Sequence, residues 1–165
     1  MICENIENVD YNNIIINDPI KNSVLQYNYF YKLLYSTDIV VLSSVFIIFE
    51  LNNIVMENDK VTFNKNTNNT EVFNKLIALE EYILNLINES KTKLYKFKEL
   101  YEHQYFKFSV SDDVERFNDY NNIKLLEVKN NTKKFILKIS GIWESKDNIG
   151  LTFKIIIADK CISFT

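Results

Sequence analysis

The chain has 165 residues, 47% hydrophobic and 14% aromatic, which suits one folded domain needing neither disulfides nor metals and excludes a disordered chain. Its net charge of −3 is no signature of a nucleic-acid binder. The charge is uneven, though: five lysines stand against twelve acids up to residue 90, and fourteen cations against ten acids after it.

Cys3 and Cys161 lie far apart in no metal-ligand or redox spacing, so a reducing compartment is expected. Asn, Ile and Lys abound while Gly and Pro are scarce, a usage that A/T-rich codons explain without reference to fold. Residues 1–17 are expected as a polar leader with a short strand at its end, and residues 18–165 as one domain. The start, MICENIENVD, is acidic and does not read as a signal peptide. The longest apolar run, 39–49, is interrupted by Ser43 and Ser44 and is too short to span a bilayer.

Asp18-Pro19 marks a turn. Residues 27–35 (YNYFYKLLY) suit a strand, Ser36 to Asp38 a turn, and 39–51 a long apolar strand. Residues 52–59 should turn the chain, and 60–65 (KVTFNK) alternate as a third strand, followed by a loop over 66–69. Thr70 is the expected N-cap of the one strong helix. Val72, Leu76, Leu79, Ile83, Leu86 and Ile87 form its apolar stripe. Glu80 falls inside that stripe, either as an acid with a task or as a carboxylate satisfied by a lysine or a backbone N–H.

From residue 91 the chain is basic and aromatic (KTKLYKFKELY). Residues 104–110 read as a strand, 111–122 as a surface loop and 123–129 as another strand. The cleanest signal is a hairpin over 133–158. One face carries Phe135, Leu137 and Ile139, answered by Leu151, Phe153, Ile155 and Ile157. The other carries Lys134, Ile136, Lys138 and Ser140, answered by Thr152, Lys154 and Ile156. The tail 161–165 could add an edge strand. Strands, one principal helix after the third strand, then more strands give an α+β, mainly β reading: an OB-like antiparallel barrel.

The chemistry-bearing motifs are few. His103 has no metal-ligating or nucleophilic companion, and no phosphate-cradling glycine loop or nucleophile elbow occurs. Asp112-Asp113 and Glu80-Glu81 are neighbours that point to different faces, not acid–base pairs. The expectation is therefore no enzyme and no cofactor. Lysines interleaved with aromatic rings are the combination that holds single-stranded nucleic acid, ammonium groups for phosphates and ring faces for bases. The candidate binding residues are Lys93, Tyr95, Lys96, Lys98, Tyr105, Lys107, Lys134, Lys138, Trp143 and Lys154. The bland reading is that most rings fill the core and that strand lysines guard against edge pairing.

The segments DPIKNSVL, FYKLLYS with the apolar run ending FEL, LEEYIL, and above all LKISGIWESKDNIGLTFKI resemble a poorly characterised protein group of nucleocytoplasmic large DNA viruses, over roughly residues 18–158. A looser similarity is to phage-type single-stranded-DNA-binding OB-fold proteins, whose acidic tail has no counterpart in CISFT. The resemblance implies a non-secreted viral protein of the replication or repair machinery, expected in the host cytoplasm at the viral factory or in another reducing intracellular compartment. The expected partners are single-stranded DNA and, in a homo-oligomer, a second copy; no membrane is expected. Two other readings stay open. One is a viral structural or protein-interaction module using exposed aromatics and the 161–165 edge. The other is an enzyme with Glu80 and His103 in one polar cleft.

Overall fold

The computed structural model describes residues 2–21, 29–87, 90–109 and 132–158. Within them run β1 (Glu4–Asn5), a 3-10 turn (Tyr11–Asn13), β2 (Ile14–Ile16), β3 (Ile20–Lys21), β4 (Tyr29–Ser36), β5 (Val41–Leu42), β6 (Val45–Leu51), β7 (Ile54–Glu57) and β8 (Lys60–Phe63). Then come α1 (Thr67–Asn85), β9 (Thr92–Leu94), α2 (Lys96–His103), β10 (Tyr105–Lys107), β11 (Lys133–Glu144) and β12 (Asn148–Ile157). The class is α+β, mainly strand. The expected loop and strand over 111–129 and the 161–165 tail lie outside the described residues.

The hairpin is the spine. β11 pairs with β12 along its length; on its other edge it pairs first with β6, over Lys133 to Ile139, and then with β4, over Gly141 to Glu144. The change of partner coincides with a bulge: Ile139 opposes Phe153, but Gly141 opposes Thr152, which leaves Ser140 as the extra residue. A bulge bends its strand, so one strand serves two neighbours that diverge. It also shifts the phase. Phe135, Leu137 and Ile139 point into the core before it, Ile142 and Glu144 after it. β1 and β9 add in parallel at β6 and β12, and β2, β3 and β5 attach to β4. β7, β8 and β10 form a separate three-stranded sheet.

Both sheets are open. The described residues close neither of them into the expected OB-like barrel; instead two open sheets and two helices share one core. Phe49, Phe106 and Phe135 meet there as a ring cluster, with Phe63 and Phe73 stacked beside it at 4.6 Å.

Several local expectations shift. The single strand over 39–51 is split by Ser43 and Ser44 into β5 and β6. The expected turn over 52–59 contains β7, and asparagines do the turning: Asn53 and Asn58 adopt φ of 54° and 53°, a left-handed region that Asn tolerates better than most residues. Helix α1 begins three residues before Thr70, capped by Asn66, whose Oδ1 accepts the Asn69 N–H at 2.8 Å. The basic run after residue 91 resolves into β9 and a second helix, α2. Residues 1–17, expected as a polar leader, bring β1 against β6 and place Ile6 and Ile14 in the core.

Candidate nucleic-acid interface

The helices and the small sheet pack against one side of the nine-stranded sheet, and the ten candidate residues divide according to which surface they occupy. Lys93 opposes the buried Ile149 and its Nζ meets Asn85 of α1, which puts it on the helix side. Tyr95 precedes α2, Lys96 pairs with Glu99 at 2.6 Å, and Lys98 is exposed on α2. Tyr105 and Lys107 lie on the outward face of the small sheet. There Lys60 Nζ sits 4.2 Å from the Tyr105 ring centroid, and Lys107 pairs with Asp59 at 3.4 Å. These six do not share a surface with the hairpin candidates.

Lys134, Lys138, Trp143 and Lys154 do share one, the outer face of the long hairpin. Alternation puts them there, and the bulge keeps Trp143 on the same side as Lys138 despite their odd spacing. Lys138 and Lys154 stand directly opposite each other. Like charges in that relation destabilise a sheet, and no acid forms an ion pair with either among the described residues. Lys138 Nζ lies 5.5 Å from the centroid of Phe46, its partner on β6. Lys134 sits two rungs further along, opposite Glu50, and lines a cleft of about 220 Å³ with Glu7, Glu50 and Asn68. Between them the expected lysine face is apolar: Ile48, Ile136 and Ile156 are buried there with Cys3.

Both glycines belong to this outer face. A β-carbon at Gly150 would lie 2.7 Å from Trp143 Cζ2, 2.9 Å from Cε2 and 3.0 Å from Nε1. These three adjoining atoms form one edge of the indole, so the ring leans over the glycine from that edge. At Gly141 a β-carbon would meet the Tyr31 carbonyl oxygen at 2.3 Å and Phe30 Cζ at 2.5 Å, so the tip of the Phe30 ring reaches over that one. Cross-strand register runs Ile20, Phe30, Trp143, Gly150, Leu94 in one row and Lys32, Gly141, Thr152 in the next. Thr152 and Lys154 are exposed, and Phe30, Lys32, Lys138 and Trp143 are half-buried.

Phe30, Lys32 and Phe46 escaped sequence reasoning. The signal was present in part: Lys32, inside an otherwise apolar run, marks the outward phase of β4.

Two buried acids lie elsewhere. Glu80, 0% exposed, accepts the backbone N–H groups of Lys96 at 2.8 Å and Phe97 at 2.9 Å, thereby capping α2 from α1. Tyr95, at the N-cap position, offers no side-chain bond of its own. Burial pushes the Glu80 carboxyl up to about 7, against the pull of those two donors. His103 lies at the other end of α2, so the polar cleft joining it to Glu80 does not form. Glu144 accepts the Tyr31 hydroxyl at 2.5 Å and the Lys91 ammonium. Burial raises its carboxyl, but the hydrogen bonds from Lys91 and Tyr31 win and leave it below the ordinary carboxylate value. It clasps the residue leading into β9 to β11 and β4.

Among the described residues no group of three or more His, Cys, Asp or Glu side chains could hold a metal ion. No helix there is long and apolar enough to cross a membrane. Compared with protein-family models, curated proteins and solved structures, the chain matches none.

Proposed function

We propose that the protein is a non-catalytic single-stranded-DNA-binding protein, and that the strand lies across the outer face of the β11–β12 hairpin. The observation that carries this reading is the pair Lys138 and Lys154, directly opposed with no acid in ion-pair contact among the described residues, on the sheet face that also carries Phe46, Trp143 and Phe30. A phosphate between the two ammonium groups would relieve their repulsion. The reading needs an open, half-aromatic sheet face and not a closed OB-like barrel. The viral resemblance supports a place in replication or repair at the viral factory.

The test is fluorescence anisotropy of a labelled oligothymidine across a salt series. Affinity is expected to fall with log–log slope of about −0.7 per phosphate neutralised, hence near −2 for Lys32, Lys138 and Lys154 acting together. Absence of binding at low salt, or binding indifferent to salt, would refute the proposal.

One observation favours a second reading, a protein-interaction module. Ile39, Val41 and Ile15 are 96%, 61% and 44% exposed around β2, β4 and β5. Self-association that persists at high salt, without affinity for oligothymidine, would select it.

A further inference from the structure

Resting on the single-strand reading, we infer that Trp143 and Phe30 form a two-base stacking platform, seated on Gly150 and Gly141, that accepts only a strand whose neighbouring bases are unstacked. The two glycines are the chain's full complement, and each lies beneath an aromatic ring from a neighbouring strand. With no β-carbon beneath its edge, the half-buried Trp143 indole can lean onto the backbone and leave ring surface open to a base. A standing ring would present only an edge.

The two seats are one strand and two residues apart, because Gly150 opposes Trp143 and Gly141 precedes Trp143 by two. Strand spacing and rise put them about 8 Å apart. Seats on one sheet face lie side by side. Bases resting on them also lie side by side, and so cannot be stacked on each other at the 3.4 Å rise of a duplex strand. A duplex keeps its base faces occupied and offers none to the platform. Charge complementarity completes the match: Lys32 flanks Gly141 in the next row, and Lys138 and Lys154 stand just past the bulge, where the backbone joining two splayed nucleotides would run.

Rings over glycines also stabilise sheets in their own right, so the experiment must read bases and not only fold. Oligothymidine is compared with an abasic strand of equal length, which keeps the phosphates and lacks the bases. Wild-type protein should bind oligothymidine at least about fivefold tighter, the lower range for one stacked base. Trp143→Leu and Phe30→Leu should each remove about five- to hundredfold of that affinity while leaving the abasic strand's affinity unchanged. Trp143 is the single tryptophan, so its emission in the wild-type protein supplies a readout that does not depend on a variant folding: oligothymidine should quench it and the abasic strand should not. Equal affinity for both strands, or unaltered emission on saturation with oligothymidine, overturns the platform yet leaves single-strand binding standing. Binding of neither strand overturns both.

Discussion

Glu80 sits where α1 meets the first turn of α2, and its two oxygens replace the cap that Tyr95 does not supply. Burial, with a lesser push from Glu81, outweighs the two backbone donors and Lys96 and raises its carboxyl from 4.5 to about 7. The folded chain therefore retains a proton that the unfolded chain gives up between those values. The stabilisation from this group is complete below about pH 4.5 and is lost as pH rises through about 7, a decline of roughly 3 kcal/mol. Urea unfolding at pH 5 and pH 8 should show that decline in the wild type and not in Glu80→Gln; parallel declines would disprove it. Asn69 is the second residue of this kind. Fully buried, it accepts the Asn52 N–H at 2.9 Å and donates to the carbonyls of Asn52 at 2.8 Å and Asn64 at 2.9 Å. Asn69→Ala strands those groups in the interior and should cost about 3 kcal/mol, read from the urea midpoint; a shift under about 1 kcal/mol would contradict the clamp. That Glu80 breaks the apolar stripe is visible in the sequence. That Asn53, Asn58, Asn66 and Asn69 turn and cap the chain is not, because Asn is so common here that its positional roles do not stand out.

Among the elements, the β11–β12 hairpin was the most legible, since period-two alternation over Phe135, Leu137 and Ile139 is unbroken. The bulge at Ser140 was not, because a single inserted residue leaves no compositional mark beyond the adjacent Gly141. It is what lets β11 change partners from β6 to β4 and keeps Trp143 beside the lysines. Ile136 and Ile156 show the same limit: alternation assigns them to the lysine face, but only the arrival of β6 and Cys3 buries them there. β7 was missed because Asn at both its ends reads as turn. Gly150 tests the face directly. Gly150→Ala places a methyl 2.7 Å from the Trp143 indole, and the ring must lift, destabilising the fold by about 1–3 kcal/mol. Thermal unfolding together with a changed Trp143 emission spectrum would record it; an unchanged spectrum would mean that the indole does not lie over the glycine.

Across the described residues, the lysines do not gather on one basic surface. Lys96 and Lys98 ride on α2, Lys60 and Lys107 on the small sheet, and Lys32, Lys138 and Lys154 on the outer face of the large one. Sequence could rank the lysines by their company of aromatic rings, but only strand pairing decides which of them meet. The central claim is the location of the strand, and paired charge reversals compare two of these surfaces within one protein. Lys138→Glu with Lys154→Glu should weaken oligothymidine binding at low salt by at least about tenfold, while Lys96→Glu with Lys98→Glu should change it by less than about twofold. Both variants must show the wild-type unfolding transition. Wild-type affinity in the folded Lys138/Lys154 variant, or the larger loss in the Lys96/Lys98 variant, would contradict the account.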